Sequence, residues 1–215
     1  MDLITRVKGS LYNLSDGRYF SAMGAEWVDV NLNPELPGFI HPKDALEIKN
    51  WLYGTSFVAG FHNNPKEEIE SIIETVQPDY IQLTGEYDIN WIKQLNIPVF
   101  KQISIENEMT AEELKSKIDS YKEAAEYFIL DFLSIGVKIE DMEKEGSSIK
   151  INDLRQLCKE NKILLKAVFT PQNILEILDS IKPEGINLVG GSEIEVGAKS
   201  FEDLNEIAEI LEKED

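Results

Sequence analysis

Residues 79–103 read DYIQLTGEYDINWIKQLNIPVFKQI, a β-type run over 79–84, an amphipathic helical stretch over 88–95 and a second β-type run over 97–103. Gly85 and Pro98 punctuate it where the chain must turn. A strand, a short helix and another strand in so little chain is the pattern of a βα unit, whose helix carries the chain back so that both strands run the same way. The same alternation extends in both directions. Further strands are expected at 3–8, 26–32, 56–61, 126–131, 162–168 and 185–189, and helices near 16–23, 42–53, 65–75, 111–124, 150–160, 171–181 and 200–213.

Helix starts carry the expected chemistry. Asn64-Pro65-Lys66-Glu67 offers a cap, a first-turn proline and a glutamate, Thr110-Ala-Glu-Glu113 reads as a capping box, and Thr170-Pro171 as a cap followed by proline. Eight strand–helix pairs without a linker rich in Pro, Gly or Ser predict an α/β fold, a single (β/α)8 TIM barrel domain over 1–215, with parallel strands inside eight outer helices. An open flavodoxin-like sheet is the alternative, although it ordinarily uses fewer strands. One loop, Phe132 to Ser148, is longer and more charged than the others, as ligand loops tend to be.

Several strands carry a charge within an apolar run: Arg6 and Lys8, Asp29, Lys101, Asp131, and Lys166. An unpaired buried ion costs several kcal/mol, so such positions need a partner or a wet cavity. Alternation places Arg6 with Lys8 on one face, Trp27 with Asp29 and Asn31 on another, and Leu164 with Lys166 on a third. Most lie toward the C-terminal ends of their strands, where barrel enzymes assemble their sites. The plainer account is that Arg6, Lys8, Lys101 and Lys166 pair with Asp29 and Asp131 as a neutralised internal network.

Composition narrows the function. A formal charge of −19 disfavours nucleic acid, which needs clustered cations. No apolar run approaches the length that spans a bilayer, and no export signal is visible, so a cytoplasmic location is expected. One cysteine and two histidines leave no disulfide framework and no metal site. Cys158 reads as a half-buried helix thiol, His41 as a residue at a helix start, His62 as a polar rim residue, and Trp27 as facing either side of its strand.

With these residues in view, the chain resembles the phosphoribosylanthranilate isomerase family of tryptophan biosynthesis. The matching stretches are Leu14-Ser-Asp with Gly24-Ala25, Phe61-His-Asn63 with Pro65-Lys-Glu-Glu68, Asp79-Tyr-Ile-Gln-Leu-Thr-Gly85, the strand ending in Asp131, Thr170-Pro-Gln-Asn173, and Gly191-Ser-Glu193 with Gly197-Ala-Lys199. The resemblance implies a cofactor-free Amadori rearrangement of an aminoaldose phosphate. It assigns Asp131 as the general acid and puts Lys8, in Arg6-Val7-Lys8-Gly9, where the family's Lys-Ile-Cys-Gly motif keeps a basic thiol. Arg6, Lys101 and Lys166, the strand charges expected around one barrel mouth, are candidate substrate contacts together with Gln82, and Gly190, Gly191 and Ser192 are candidates for half of a phosphate cradle.

Other family positions differ. An arginine after the second strand aligns with Gly38, and a glycine pair after the seventh aligns with Ala167-Val168. Three functions are therefore open: the isomerase with a substituted base, a relative that binds a phosphorylated or other anionic metabolite without turnover, and a Schiff-base enzyme using Lys8, Lys101 or Lys166. The partner in each is a small metabolite, with the chain as monomer or homodimer.

Overall fold

The computed structural model describes residues 3–212, apart from 135, 137, 140, 141, 143–146, 191, 196 and 197. Eight parallel strands close on themselves in chain order: β1 (Arg6–Leu11), β2 (Trp27–Asn31), β3 (Ser56–His62), β4 (Tyr80–Thr84), β5 (Val99–Ser104), β6 (Tyr127–Asp131), β7 (Ile163–Lys166) and β8 (Gly185–Val189). Closure runs through β8 and β1, with Lys8 opposite Asn187 and Ser10 opposite Val189. Around them lie α1 (Leu14–Met23), α2 (Pro42–Trp51), α3 (Lys66–Val76), α4 (Ile89–Gln94), α5 (Ala111–Tyr121), α6 (Ile151–Glu160), α7 (Ile174–Ile181) and α8 (Glu202–Leu211). The closed barrel expected from the sequence is thus the architecture, and the open-sheet alternative falls away.

Period-two alternation divides the apolar residues between two cores. Outward strand residues such as Val28, Ala59, Ile81 and Leu130 pack with helix faces in the main core, whereas Trp27, Val58, Phe100, Tyr127, Ile129 and Leu164 fill the barrel itself. The helix start at Thr110 is a capping box, as its sequence predicts. Two other starts differ. Asn64 makes no helix cap but accepts from the His62 amide at 2.9 Å, and after Thr170 the chain makes a turn before α7 begins, with Thr170 and Asn173 bonded to one another.

Two departures from the expected boundaries matter for the site. Strand β1 begins at Arg6 and runs to Leu11, three residues later than the apolar Leu3-Ile4 suggests, because the chain there is held by Ile4 N–H on the Leu211 carbonyl at 2.8 Å. Lys8 consequently sits mid-strand. Between β8 and α8 an antiparallel hairpin intervenes, β9 (Ser192–Glu195) and β10 (Ala198–Ser200), where the sequence reads as a plain loop.

Candidate functional site

The barrel interior is layered, and each layer has its own chemistry. At the N-terminal end, the Arg6 guanidinium lies 4.2 Å from the Trp27 ring centroid, bonds Glu26 and Glu184, and donates to the Tyr127 hydroxyl at 3.0 Å. The hydrogen bond to Glu26 does most to hold its pKa above the ordinary range. Trp27 also packs edge-on against Phe100 at 5.4 Å and Tyr127 at 5.2 Å. Arg6 thus plugs the closed end of the barrel and does not join the other expected substrate contacts. Trp27 faces inward.

One layer up, Lys8 is wholly buried, with its ammonium on the Asp29 carboxylate and 3.1 Å from Asn187 Oδ1. The Ser10 hydroxyl donates to the same Asp29 oxygen at 2.8 Å and accepts from Asn187 Nδ2 at 2.9 Å. Burial pulls the Lys8 pKa down to about 8, and Asp29 partly opposes that by favouring the cation. The position assigned to the catalytic base therefore lies beneath the cavity floor, its nitrogen committed to a carboxylate.

The C-terminal mouth holds a connected polar set. Asp131 Oδ2 accepts from Gln102 at 2.9 Å and from Lys166 at 3.1 Å, while Oδ1 accepts from the Leu133 and Ser134 amides at 2.9 and 3.2 Å. Gln82 donates to Gln102 at 2.8 Å, and its own Oε1 is buried with no donor among the described residues. A cavity of about 760 Å³ opens over this set, lined by Ser10, Asp29, His62, Gln82, Gln102, Asp131, Lys166, Tyr12 and Gly38 among others. His62 overhangs it with its pKa lowered, first by burial and then by Lys101 and Lys166, so the ring is neutral at pH 7.

Of the expected site residues, the mouth brings together Asp131, Gln82 and Lys166. Lys101 points outward from β5 into the helix layer, where it donates to the Gly85 carbonyl and lies 4.4 Å from the Tyr121 ring centroid. The three lysines therefore do not converge, which removes the geometry a Schiff-base site needs. The neutralised network forms in part: Lys8 pairs with Asp29 and Lys166 with Asp131.

The expected phosphate end is different again. Gly190 has the Asp16 carboxylate so close that a Cβ there would meet it at 2.6 Å. A cavity of about 220 Å³ between the ends of β7 and β8 is lined by Ala167, Val168, Phe169, Gly190, Asp203 and Leu204 among others, with no lysine or arginine among the described residues. Gly191 lies outside the described residues, and Ser192 opens β9.

Ser10, Gln102 and Asn187 were not singled out as ligand contacts in the sequence. The alternation that puts Lys8 inside also puts Ser10 inside, one step nearer the mouth, and it puts Gln102 inside in the opposite phase to Lys101. The remaining small features are ordinary. Cys158 is a half-buried helix thiol pushed up to about 12 by burial, and His41 caps α2 by accepting from the Lys43 amide at 3.2 Å. Among the described residues no cluster of His, Cys, Asp or Glu is placed to hold a metal, and no helix is long and apolar enough to cross a membrane.

Comparison with known proteins gives one family. The model for N-(5'-phosphoribosyl)anthranilate (PRA) isomerase matches residues 22–213. The N-(5'-phosphoribosyl)anthranilate isomerase of Petrotoga mobilis is 30% identical over 94% of this chain and 92% of its own, and that of Sulfurihydrogenibium sp. is 26% identical over 92% and 93%. Among solved structures, the phosphoribosyl anthranilate isomerase of Thermococcus kodakaraensis superposes with a TM-score of 0.77 at 18% identity, over 98% of this chain and all of its own. A further one, in complex with reduced 1-(o-carboxyphenylamino)-1-deoxyribulose 5-phosphate, gives 0.75 at 22% identity, covering 96% and 97%.

Proposed function

Because the chain belongs to the N-(5'-phosphoribosyl)anthranilate isomerase family, we propose that it catalyses that family's rearrangement, converting an N-ribosylanthranilate phosphate to the 1-deoxyribulose form in tryptophan biosynthesis. The whole chain is taken as one barrel domain acting in the cytoplasm, as a monomer or homodimer, and without a cofactor.

The observation that carries this reading is the setting of Asp131 at the open end of β6, facing a sugar-sized cavity and held by Gln102, Lys166 and two backbone amides. A carboxyl so fixed is oriented toward the substrate, and the role proposed for it is to give a proton to the ring oxygen while the C1–O bond opens. Gln82, with its bare buried acceptor, suits a sugar hydroxyl, and Lys166 suits an anionic group. The family's Lys-Ile-Cys-Gly motif sets its lysine and thiol two residues apart on one strand face. Arg6 with Lys8 and Lys8 with Ser10 both have that spacing, and of Lys8 and Ser10 it is Ser10 that lines the cavity.

Conversion of phosphoribosylanthranilate by the purified protein, or rescue of a tryptophan auxotroph lacking this step, tests the reading; no turnover above background refutes it. A second reading, binding of an anionic metabolite without turnover, is favoured by one observation: Lys8, at the position the resemblance gives to the base, is sealed beneath the cavity on Asp29, while Lys166 stays at the mouth. Stabilisation by phosphorylated metabolites in a thermal-shift screen, joined to no turnover of phosphoribosylanthranilate, would support the second.

A further inference from the structure

We propose that Asp29 is the residue that removes the C2 proton, working across the barrel from Asp131. The inference deepens the isomerase reading and rests on it.

Strands β2 and β6 lie on opposite sides of the closed eight-stranded barrel, and both aspartates line the same cavity. Asp29 is 7% exposed, and its oxygens are in different situations. Oδ1 takes both the Lys8 ammonium and the Ser10 hydroxyl. Oδ2 has no donor among the described residues and lies over Gly60, 3.7 Å from where a Cβ would be. The bare side chain of Gly60, itself part of the cavity lining, leaves that oxygen open to a ligand. One oxygen is thus fixed by two donors and the other faces the cavity, an arrangement that holds a base in place without occupying its reactive atom.

Neither neighbour is as well suited. Lys8 is sealed below the floor, its ammonium committed to Oδ1 of Asp29. Ser10 as a neutral hydroxyl cannot take a carbon-bound proton at neutral pH. His62 carries a neutral ring but hangs at the rim with no partner to orient it among the described residues.

The step balances within the substrate. Asp131 gives its proton to the ring oxygen as the C1–O bond breaks, and the nitrogen lone pair forms C1=N. Asp29 then takes the C2 proton, the C–H pair becomes C1=C2, and the C=N pair returns to nitrogen. The enolamine takes the proton back from Asp29 at C1 and gives its C2 hydroxyl proton to Asp131, leaving the ketone and both carboxyls as they began.

The test pairs Asp29→Asn with Lys8→Met, so that no buried charge is left alone, and measures turnover of phosphoribosylanthranilate. Loss of kcat by about 100- to 10,000-fold, with KM little changed, is expected. In a second variant, Asp29→Glu, the charge on Lys8 is kept but the carboxylate is displaced; kcat should fall and the isotope effect with C2-deuterated substrate should grow. Wild-type turnover with an active double variant, an unchanged Asp29→Glu, or activity lost only in His62→Gln overturns Asp29 while leaving the isomerase reading standing. A wild type without turnover overturns both.

Discussion

Lys8 rests its ammonium on the carboxylate of Asp29 inside the barrel, with 0% and 7% of the two residues exposed. Such a pair is weak evidence of net stabilisation, because desolvating both ions offsets their attraction, yet removing one partner strands the other. Lys8→Met or Asp29→Asn alone should therefore cost about 3–5 kcal/mol. The double variant should recover most of that loss, and urea unfolding of all four proteins would check it. Equal losses that simply add would mean the two are not coupled.

How far the sequence foretold this arrangement depends on which residues are considered. All eight strand–helix pairs occur in the order apolar periodicity gives, with β1 displaced along the chain, because each unit buries one stripe and exposes the other. The charge at the end of β6 was legible for the same reason. Arg6 and Lys101 were not. Period two gives the face of a residue only once the strand's phase and ends are known; Arg6 proves to be at the wrong end of β1, and Lys101 is in the outward phase of β5. The three-residue slip of β1 is what hid Ser10, since a backbone bond to the chain's last helix, far away in sequence, sets where the strand begins.

Asp131→Asn keeps the size of the side chain and the two backbone amides on Oδ1, but removes the transferable proton and the acceptor of Gln102 and Lys166. Turnover should fall by about 100- to 10,000-fold, and the melting temperature should fall as well because Lys166 loses its carboxylate. An active Asp131→Asn enzyme would mean that the acid lies elsewhere.

Arg6→Ala separates structure from catalysis. It deletes the stack on Trp27 and the bonds to Glu26 and Glu184, groups that are partly exposed, so a cost of about 1–2 kcal/mol is expected. KM and kcat should be unaltered, because Arg6 lies at the end of the barrel away from the cavity. A raised KM would restore it as a substrate contact.

Lys101 is buried against the Gly85 carbonyl and the Tyr121 ring, with its pKa brought down to about 8 chiefly by burial. Between that value and the ordinary lysine value the unfolded chain holds more protons than the folded one, so folding stability rises with pH. From pH 8 to about 9 the wild type should gain stability, offset in part by Cys158, whose raised pKa makes the unfolded chain lose that proton first. Lys101→Met should gain less, with Lys8 supplying the remainder. The same substitution removes a cation near His62 and should raise that ring's pKa toward its ordinary value, visible by NMR titration. No change in either quantity would place Lys101 in solvent.

The stack of Arg6, Trp27, Phe100 and Tyr127 that seals the N-terminal end of the barrel leaves the polar mouth as the way in and the way out. Incoming and outgoing molecules then use one door, and neither can be bound while the other occupies it. Progress curves should accordingly bend early as product accumulates, in a manner that added substrate relieves, which ties the flux through the enzyme to how quickly the next one downstream clears its product.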